Sequence, residues 1–317
     1  MAITYRSFHN SDPPQLVDVW RSQPPQRGLV QPMTAGIFDE LVTAKQYFDP
    51  RGLIVALDGP TTVGFAHAGF GPSDDGRVVA KQMGVTHLVM VRPHHQRQGI
   101  GRELLARCEA YLREQGAGVL YAGGIGHLDG FYIGLYGGSE MPGVLDSCPG
   151  AQRLFLDAGY REIDRTLVFH RDAATFRPPV DRRLMQLRRN TTLRVIDDPP
   201  AKSWWNASTY GSFAQLRLEL DLKSPAVRAV ASVDLWMMET YAASWGLHPA
   251  GLRNLQVAPE YQRQGIALFL VSEAMQQLRN RRISLVEAQT MVHNTAAVAL
   301  YRKLGFEQVD SGAVYRR

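Results

Sequence analysis

Six residues of this chain return almost unchanged 166 positions later: Gln96-Arg97-Gln98-Gly99-Ile100-Gly101 and Gln262-Arg263-Gln264-Gly265-Ile266-Ala267. Each copy follows an apolar stretch and opens an amphipathic run, so each reads as strand, glycine turn and helix. The first N–H groups of a helix have no partner inside it, which makes such a turn a standing site for an anionic phosphate. Two copies in 317 residues predict two units in tandem, each of roughly 150 residues.

The flanks repeat with the hexapeptides. After the first, Ile100, Leu104, Leu105, Cys108 and Leu112 form a non-polar stripe at helical spacing. The same offset gives Ile266, Leu270, Val271, Ala274 and Leu278, non-polar at every position. The opposite faces are polar or charged, as on a helix that covers one side of a sheet. Upstream, strands are expected at 86–91 and 252–257, each closed by a proline two residues on, Pro93 and Pro259. Proline cannot donate to a ladder, so the strand ends there. Downstream strands are expected at 119–123 and 283–290. The register then breaks, because the helix endings Ala158-Gly159-Tyr160 and Leu304-Gly305-Phe306 lie 146 positions apart. The first half therefore carries about 20 extra residues, placed at 124–148 and rich in glycine and aromatics. Such an insertion suits a binding loop or a passive surface loop.

The expected domains are 1–172 and 182–317, joined by a linker over 173–181 that contains Pro178-Pro179. Ahead of its motif the first has room for helices near 14–22 and 36–44 and a hairpin over 53–57 and 62–68. The second reaches its hairpin, 214–222 and 226–238, after one short helix near 203–209.

Composition narrows the setting. Cys108 and Cys148 give no disulfide framework and point to a reducing cytoplasm. The first residues lack a signal-peptide core, and no apolar run has the length of a membrane span. No Lys/Arg tract with interleaved aromatics argues for nucleic acid, so neither nucleic acid nor membrane is an expected partner. The net charge of +5 suits an anionic ligand or plain solubility. A dinucleotide-binding unit is disfavoured, since the hexapeptide is not Gly-x-Gly-x-x-Gly and no acidic residue follows at the required place.

Strand, Gln/Arg-x-x-Gly-x-Gly/Ala, helix, strand, helix resembles the GNAT superfamily of N-acetyltransferases. The run from Asn294 through Tyr301 to Gly305-Phe306 is similar to that superfamily's last conserved block. The resemblance implies an α/β fold of two tandem GNAT-like acyl-CoA-binding domains, each a splayed mixed sheet flanked by helices. It implies acetyl-CoA as co-substrate and no metal. Pantetheine would pair with backbone near Val89–Val91 and Leu255–Val257, and pyrophosphate would sit on the amides of Arg97–Gly101 and Arg263–Ala267. The residues agree independently. Gly99 and Gly265 remove a side chain where backbone must approach phosphate, and Arg97 and Arg263 can add charge-assisted contacts.

Acetylation of an amine needs a base for the amine proton and a donor for the departing thiolate. A tyrosine, protonated at neutral pH, can be that donor. By the resemblance it is Tyr301. Counting back from the glycine-aromatic ending, Phe155 stands in its place in the first half and Cys148 in place of Asn294. Phenylalanine donates no proton. The expected division is therefore a catalytic C-terminal half and an N-terminal half that binds acyl-CoA or is structural, with Tyr132 or Tyr136 as another source of a hydroxyl. Asn294 is expected as a helix N-cap, and the resemblance adds a contact to pantetheine. Glu239 is the first candidate base and His248 the second, while His87 reads as a satisfied core histidine. Trp204, Trp205, Trp236 and Trp245 suit either an acceptor pocket or a core. The expected reaction is acetyl transfer to the primary amine of a small molecule. The alternatives are a non-catalytic acyl-CoA-binding or sensing protein, and acetylation of a protein or peptide. A homodimer is left open.

Overall fold

The computed structural model describes residues 2–124 and 126–317; Ile125 of the expected insertion lies outside them. The chain divides into two compact units. One holds the residues up to Thr166 together with Ala201–Ser212 and Ser311–Arg317. The other holds Leu167–Pro200 and Phe213–Asp310. Each unit thus takes chain from both sides of residues 173–181.

In chain order the first elements are β1 (Thr4–Ser7), α1 (Pro13–Arg21), α2 (Ala35–Phe38), β2 (Leu53–Asp58), β3 (Thr61–Pro72), β4 (Val79–Val91), α3 (Ile100–Glu114), β5 (Val119–Ala122), β6 (Val144–Leu145), α4 (Pro149–Asp157) and β7 (Arg161–Asp172). There follow α5 (Arg182–Asn190), β8 (Thr191–Asp197), α6 (Trp204–Tyr210), β9 (Gln215–Lys223), β10 (Ala226–Met237), α7 (Glu239–Trp245), β11 (Pro249–Val257), α8 (Ile266–Asn280), β12 (Leu285–Met291), α9 (Thr295–Lys303) and β13 (Glu307–Arg316).

The first unit's sheet runs β1-β2-β3-β4-β5-β13. The pair β4/β5 is parallel, and α3 supplies the crossover that a parallel pair needs. The last segment of β13 lies antiparallel to β5, Tyr315 opposite Ala122, and to β6, Ala313 opposite Val144. The second unit's sheet runs β7-β12-β11-β10-β9-β8. Its parallel pair is β11/β12, with α8 as crossover. Both sheets are therefore mixed and helix-covered.

Each parallel pair forks. Pairing between β4 and β5 ends at Thr86 opposite Ala122, yet β4 continues to Val91. Pairing between β11 and β12 ends at Leu252 opposite Ala288, yet β11 continues to Val257. A bulge marks each fork. It falls between His67 and Ala68 on the β3 side of β4, and between Ser232 and Asp234 on the β10 side of β11. An extra residue on one strand sharpens the local twist and bends the strand away from its neighbour.

One face of each sheet packs on its crossover helix. Ile100, Leu104, Leu105, Cys108 and Leu112 of α3 are buried against Ala66, Ala68 and Leu120. The stripe of α8, Ile266, Leu270, Val271, Ala274 and Leu278, is buried against Leu218, Val233, Leu252 and Val286. Strand alternation turns the residues between these to the other face.

Two expectations change here. The segment 124–148 is not a passive surface loop. Phe131–Ser139 and Met141–Leu145 are buried, because the segment folds back on the N-terminal chain. Gly137 N–H donates to Gly28 O (2.8 Å), Val30 N–H donates to Leu135 O (3.0 Å), and Tyr132 stacks on Trp20 at 6.1 Å. The helix expected near 203–209 forms as α6, with Ser203 capping the Asn206 N–H, but it belongs to the first unit. Trp205 stacks on Tyr47 at 4.0 Å and Trp204 Nε1–H donates to Gln46 Oε1 (2.6 Å).

Candidate functional site: two forked strands and their loops

The two hexapeptides fold as copies of one loop. Arg97 and Gly99 have φ of 63° and 84°, and Arg263 and Gly265 have 60° and 83°. Gln96 Nε2–H donates to Val91 O at 2.9 Å, as Gln262 does to Val257 O at 3.1 Å. Gln98 and Gln264 each donate to the carbonyl four residues earlier, at 3.0 Å. The glutamines thus spend their amides bracing the loop. Left-handed residues set among right-handed ones gather backbone N–H groups on one side as an anion nest. Neither α3 nor α8 has a side-chain cap, so the first-turn N–H groups stay bare. A Cβ added to Gly99 or Gly265 would meet no protein atom within 4 Å, so the space before each loop is open to a ligand.

The strand before each loop is ready to pair. Arg92 N–H donates to Val63 O (2.8 Å), so alternation along the ladder turns the backbone groups of Val91 and Val89 away from β3. Ala258 N–H donates to Val230 O (2.9 Å), which places Val257 in the same way.

In the first unit the fork opens into a cavity of about 780 Å³. Its walls include Val89, Val91, Gln96, Arg97, Gly99 and Gly101 from the strand and loop, with Tyr136, Cys148 and Phe155 opposite. In the second unit Leu255, Val257 and Gln262 line a cavity of about 470 Å³ whose other walls are Ala229–Ser232 of β10 and Gln256, Ala258 and Pro259, so it lies on the β10 side of β11. Arg97 and Arg263 are exposed at the loops, where their charge can meet phosphate.

Tyr301 is buried in the cluster that holds Leu252, Ile266 and Ala288, with Leu255 and Val257 packed against it. Its ring lies 5.8 Å from Phe169 and 5.4 Å from Phe306. Phe155 takes the matching place in the first unit, stacked at 6.3 Å on Tyr315. Asn294 caps α9, its Oδ1 accepting from Ala297 N–H at 3.2 Å. Cys148 starts α4 without a side-chain cap.

The two expected bases both lie at exposed positions. Glu239 is exposed in the first turn of α7, just past the end of β10 that pairs with Ala250. His248 is exposed just before β11. His87 is a core residue but not a satisfied one. It is buried, both ring nitrogens lack a hydrogen-bond partner among the described residues, and it lines the first unit's cavity. Burial pushes its pKa down to about 3, which keeps the imidazole neutral. His67, beside it at 5.8 Å between ring centres, is lowered by burial and by His87. The Tyr132 hydroxyl meets His67 Nδ1 at 3.1 Å, and the Tyr136 Oη accepts from Leu145 N–H at 3.0 Å.

One constellation escaped the sequence reading. His170 Nε2 of β7 lies 2.8 Å from Glu287 Oε2 of β12, and Gln289 Nε2–H donates to Glu287 Oε1 at 2.9 Å. Glu287 sits opposite Gly251, one residue before the fork. The Trp245 ring lies 5.2 Å from the His170 ring. The two partners are 117 positions apart. The visible signal was a glutamate inside the apolar strand pattern of 283–290.

The profile of the Acetyltransferase (GNAT) family matches residues 14–129 and 197–306. Ribosomal protein bS18-alanine N-acetyltransferase of Escherichia coli (strain K12) is 37% identical over 62 residues, 20% of this chain and 42% of that protein. The chain spans less than half the length of the curated relatives it matches. A glucosamine N-acetyltransferase region of a fungal multi-domain GH3 β-N-acetylglucosaminidase superposes with a TM-score of 0.71 at 16% identity, covering 100% of this chain and 38% of that one. A tandem GNAT protein from the clavulanic acid biosynthesis pathway superposes with a TM-score of 0.67 at 14% identity, covering 100% and 98%. At such identities the structural likeness bears on the fold alone. Among the described residues no helix is long and apolar enough to cross a membrane.

Proposed function

Because this chain belongs to the Acetyltransferase (GNAT) family, whose co-substrate is acetyl-CoA, we propose that it transfers acetyl from acetyl-CoA to the primary amine of a small molecule. The second unit is the catalyst in this reading. The observation that carries it is the duplicated fork and loop, with a tyrosine beside the fork in one copy and a phenylalanine in the other.

The fit to coenzyme A rests on the bare amides. The N–H groups of Arg263–Ala267, ahead of an uncapped 15-residue helix, would hold the diphosphate, with the helix dipole adding to the attraction. Leu255 and Val257 would pair with the pantetheine amides. Acetyl-CoA supplies the activated acyl group. Tyr301 keeps its phenolic proton at neutral pH and gives it to the sulfur as the C–S bond breaks. The buried ring, wedged between Phe169 and Phe306, fixes where that hydroxyl points.

The first unit, in the same reading, holds an acyl-CoA without turning it over. Its loop and cavity are complete, but Phe155 offers no proton. Neither nucleic acid nor membrane enters as a partner.

The test is thiol release from acetyl-CoA with a panel of small primary amines, for wild type and Tyr301→Phe. The expected outcome is amine-dependent release that drops about 10²–10⁴-fold in the variant, the usual scale for one general acid. No release with any amine would refute the transferase reading. Release that persists in Tyr301→Phe and disappears in Gly99→Asp would move catalysis to the first unit.

A further inference from the structure

A buried carboxylate is costly unless paired, and Glu287 is fully buried in the second unit. It is held by His170 on one oxygen and by Gln289 on the other. Val286 and Ala288 face the α8 cluster, so alternation turns Glu287 and Gln289 to the opposite face. The same holds on β7, where Phe169 enters the cluster and His170 does not. Tyr301 belongs to the α8 face. Proton donor and imidazole–carboxylate pair therefore flank the fork from opposite sides.

The fork is where the reacting carbon belongs. From Val257 back to Leu252 is five residues, roughly 17 Å of extended strand. An arm anchored by phosphate at the loop and paired along β11 delivers its far end to the point where β12 begins to diverge. Glu287 stands one residue from that point.

We propose that His170 is the general base of the reaction and that Glu287 is its positioning residue; the inference rests on the acetyltransferase reading above. Glu287 accepts from Nε2–H, which fixes the tautomer and leaves Nδ1 as the acceptor for a substrate proton. The carboxylate then offsets the charge of the imidazolium, as in other carboxylate–histidine pairs. The His170 side chain is 16% exposed and Glu287 0%, so substrate meets the imidazole and not the carboxylate. From β12 the titratable group facing His170 is Glu287, and from α7 the neighbour is the Trp245 ring. That ring supplies an apolar and cation-tolerant wall for an ammonium-bearing acceptor.

The step balances. His170 takes one proton from the ammonium, and the freed lone pair forms the N–C bond. The C–S bond breaks with its pair on sulfur. Tyr301 gives the sulfur a proton and regains one from the nitrogen, and His170 releases its proton to solvent. The base comes from a strand that precedes residues 173–181, so the second unit's chemistry needs the preceding segment Leu167–Asp172.

The experiment measures kcat/KM for acetyl transfer against pH in wild type, His170→Ala and Glu287→Gln, with acetyl-CoA binding followed by calorimetry. The proposal expects binding to persist in all three. His170→Ala loses about 10²–10⁴-fold and recovers part of it with added imidazole. Glu287→Gln removes the carboxylate that orients the imidazole, so kcat falls while acetyl-CoA affinity holds. A His170→Ala enzyme with wild-type rate and profile overturns the proposal. If that variant fails to fold, Glu287→Gln decides: a fall in kcat with acetyl-CoA binding intact supports it, and an unchanged kcat overturns it. Wild type that transfers to no amine sinks the acetyltransferase reading itself, a different outcome from either.

Discussion

Replacing Gly99 and Gly265 together by alanine separates strain from ligand contact. Both residues sit in the left-handed region, at φ 84° and 83°. A Cβ at either meets nothing within 4 Å, so the folded protein suffers only backbone strain, roughly 1–2 kcal/mol per site. For units of this size that lowers each melting transition by about 2–8 °C. The chain contains matched controls. Gly159 and Gly246 have φ 85° and 64° with equally open surroundings, and lie outside the loops. Gly159→Ala/Gly246→Ala should therefore cost similar stability. Coenzyme A affinity should differ. Loss of one charge-assisted hydrogen bond removes about 1.5–3 kcal/mol, which is roughly 10- to 150-fold in Kd. Thermal melts report the strain and calorimetric titration with coenzyme A reports the contact. Equal loss of affinity in loop and control variants, or none in the loop variant, would refute the argument that bare amides hold the diphosphate.

Three further outcomes follow from particular residues. His87 has its folded pKa pushed down to about 3 from an unfolded value near 6.5. The unfolded chain therefore binds the proton first, and stability falls as pH drops below about 6.5, by at most ~1.4 kcal/mol per pH unit; a urea midpoint series from pH 7 to 4 should show a slope that His87→Gln flattens. Tyr315 is buried and stacked on Phe155 in the first unit, so Tyr315→Ala should cost about 3–5 kcal/mol. Fragment-resolved proteolysis should then find new cuts before residue 166 rather than in 213–310. Breaking the pair Arg217–Asp234 (2.6 Å, both side chains largely buried) with Arg217→Met leaves the buried carboxylate without its guanidinium, though Asn254 still donates to it, and should cost several kcal/mol, more than Arg188→Met at the more exposed pair with Glu273, as chemical denaturation can compare.

What was readable in the sequence was local. The hexapeptides declare their turn because glycine at positive φ and a following 3.6-residue stripe need no distant partner. The helices at 100–114 and 266–280 and the two hairpins follow from the same kind of signal. The long-range pairings were not readable. Residues 311–317 end the C-terminal half yet pair with β5 and β6; nothing in a strand's own alternation names the edge it joins. By sequence, Trp204 and Trp205 fall in the second half, as residues of an acceptor pocket or of a core. Their contacts with Gln46 and Tyr47 lie about 160 positions away. His170 failed for the same reason. Alone it is one histidine at the end of a strand, and only Glu287 across the sheet gives it a chemical identity. The pattern favoured Glu239 because it follows a strand, but its side chain faces solvent at a helix start.

Hydrogen–deuterium exchange of the full chain with and without coenzyme A tests the central claim most directly. The account predicts slowed exchange at the amides of 97–101 and 263–267 and along Val89–Val91 and Leu255–Val257, with little change on the far side of each crossover helix. Unchanged exchange at both loops in the presence of saturating coenzyme A, or protection confined to other elements, would contradict it.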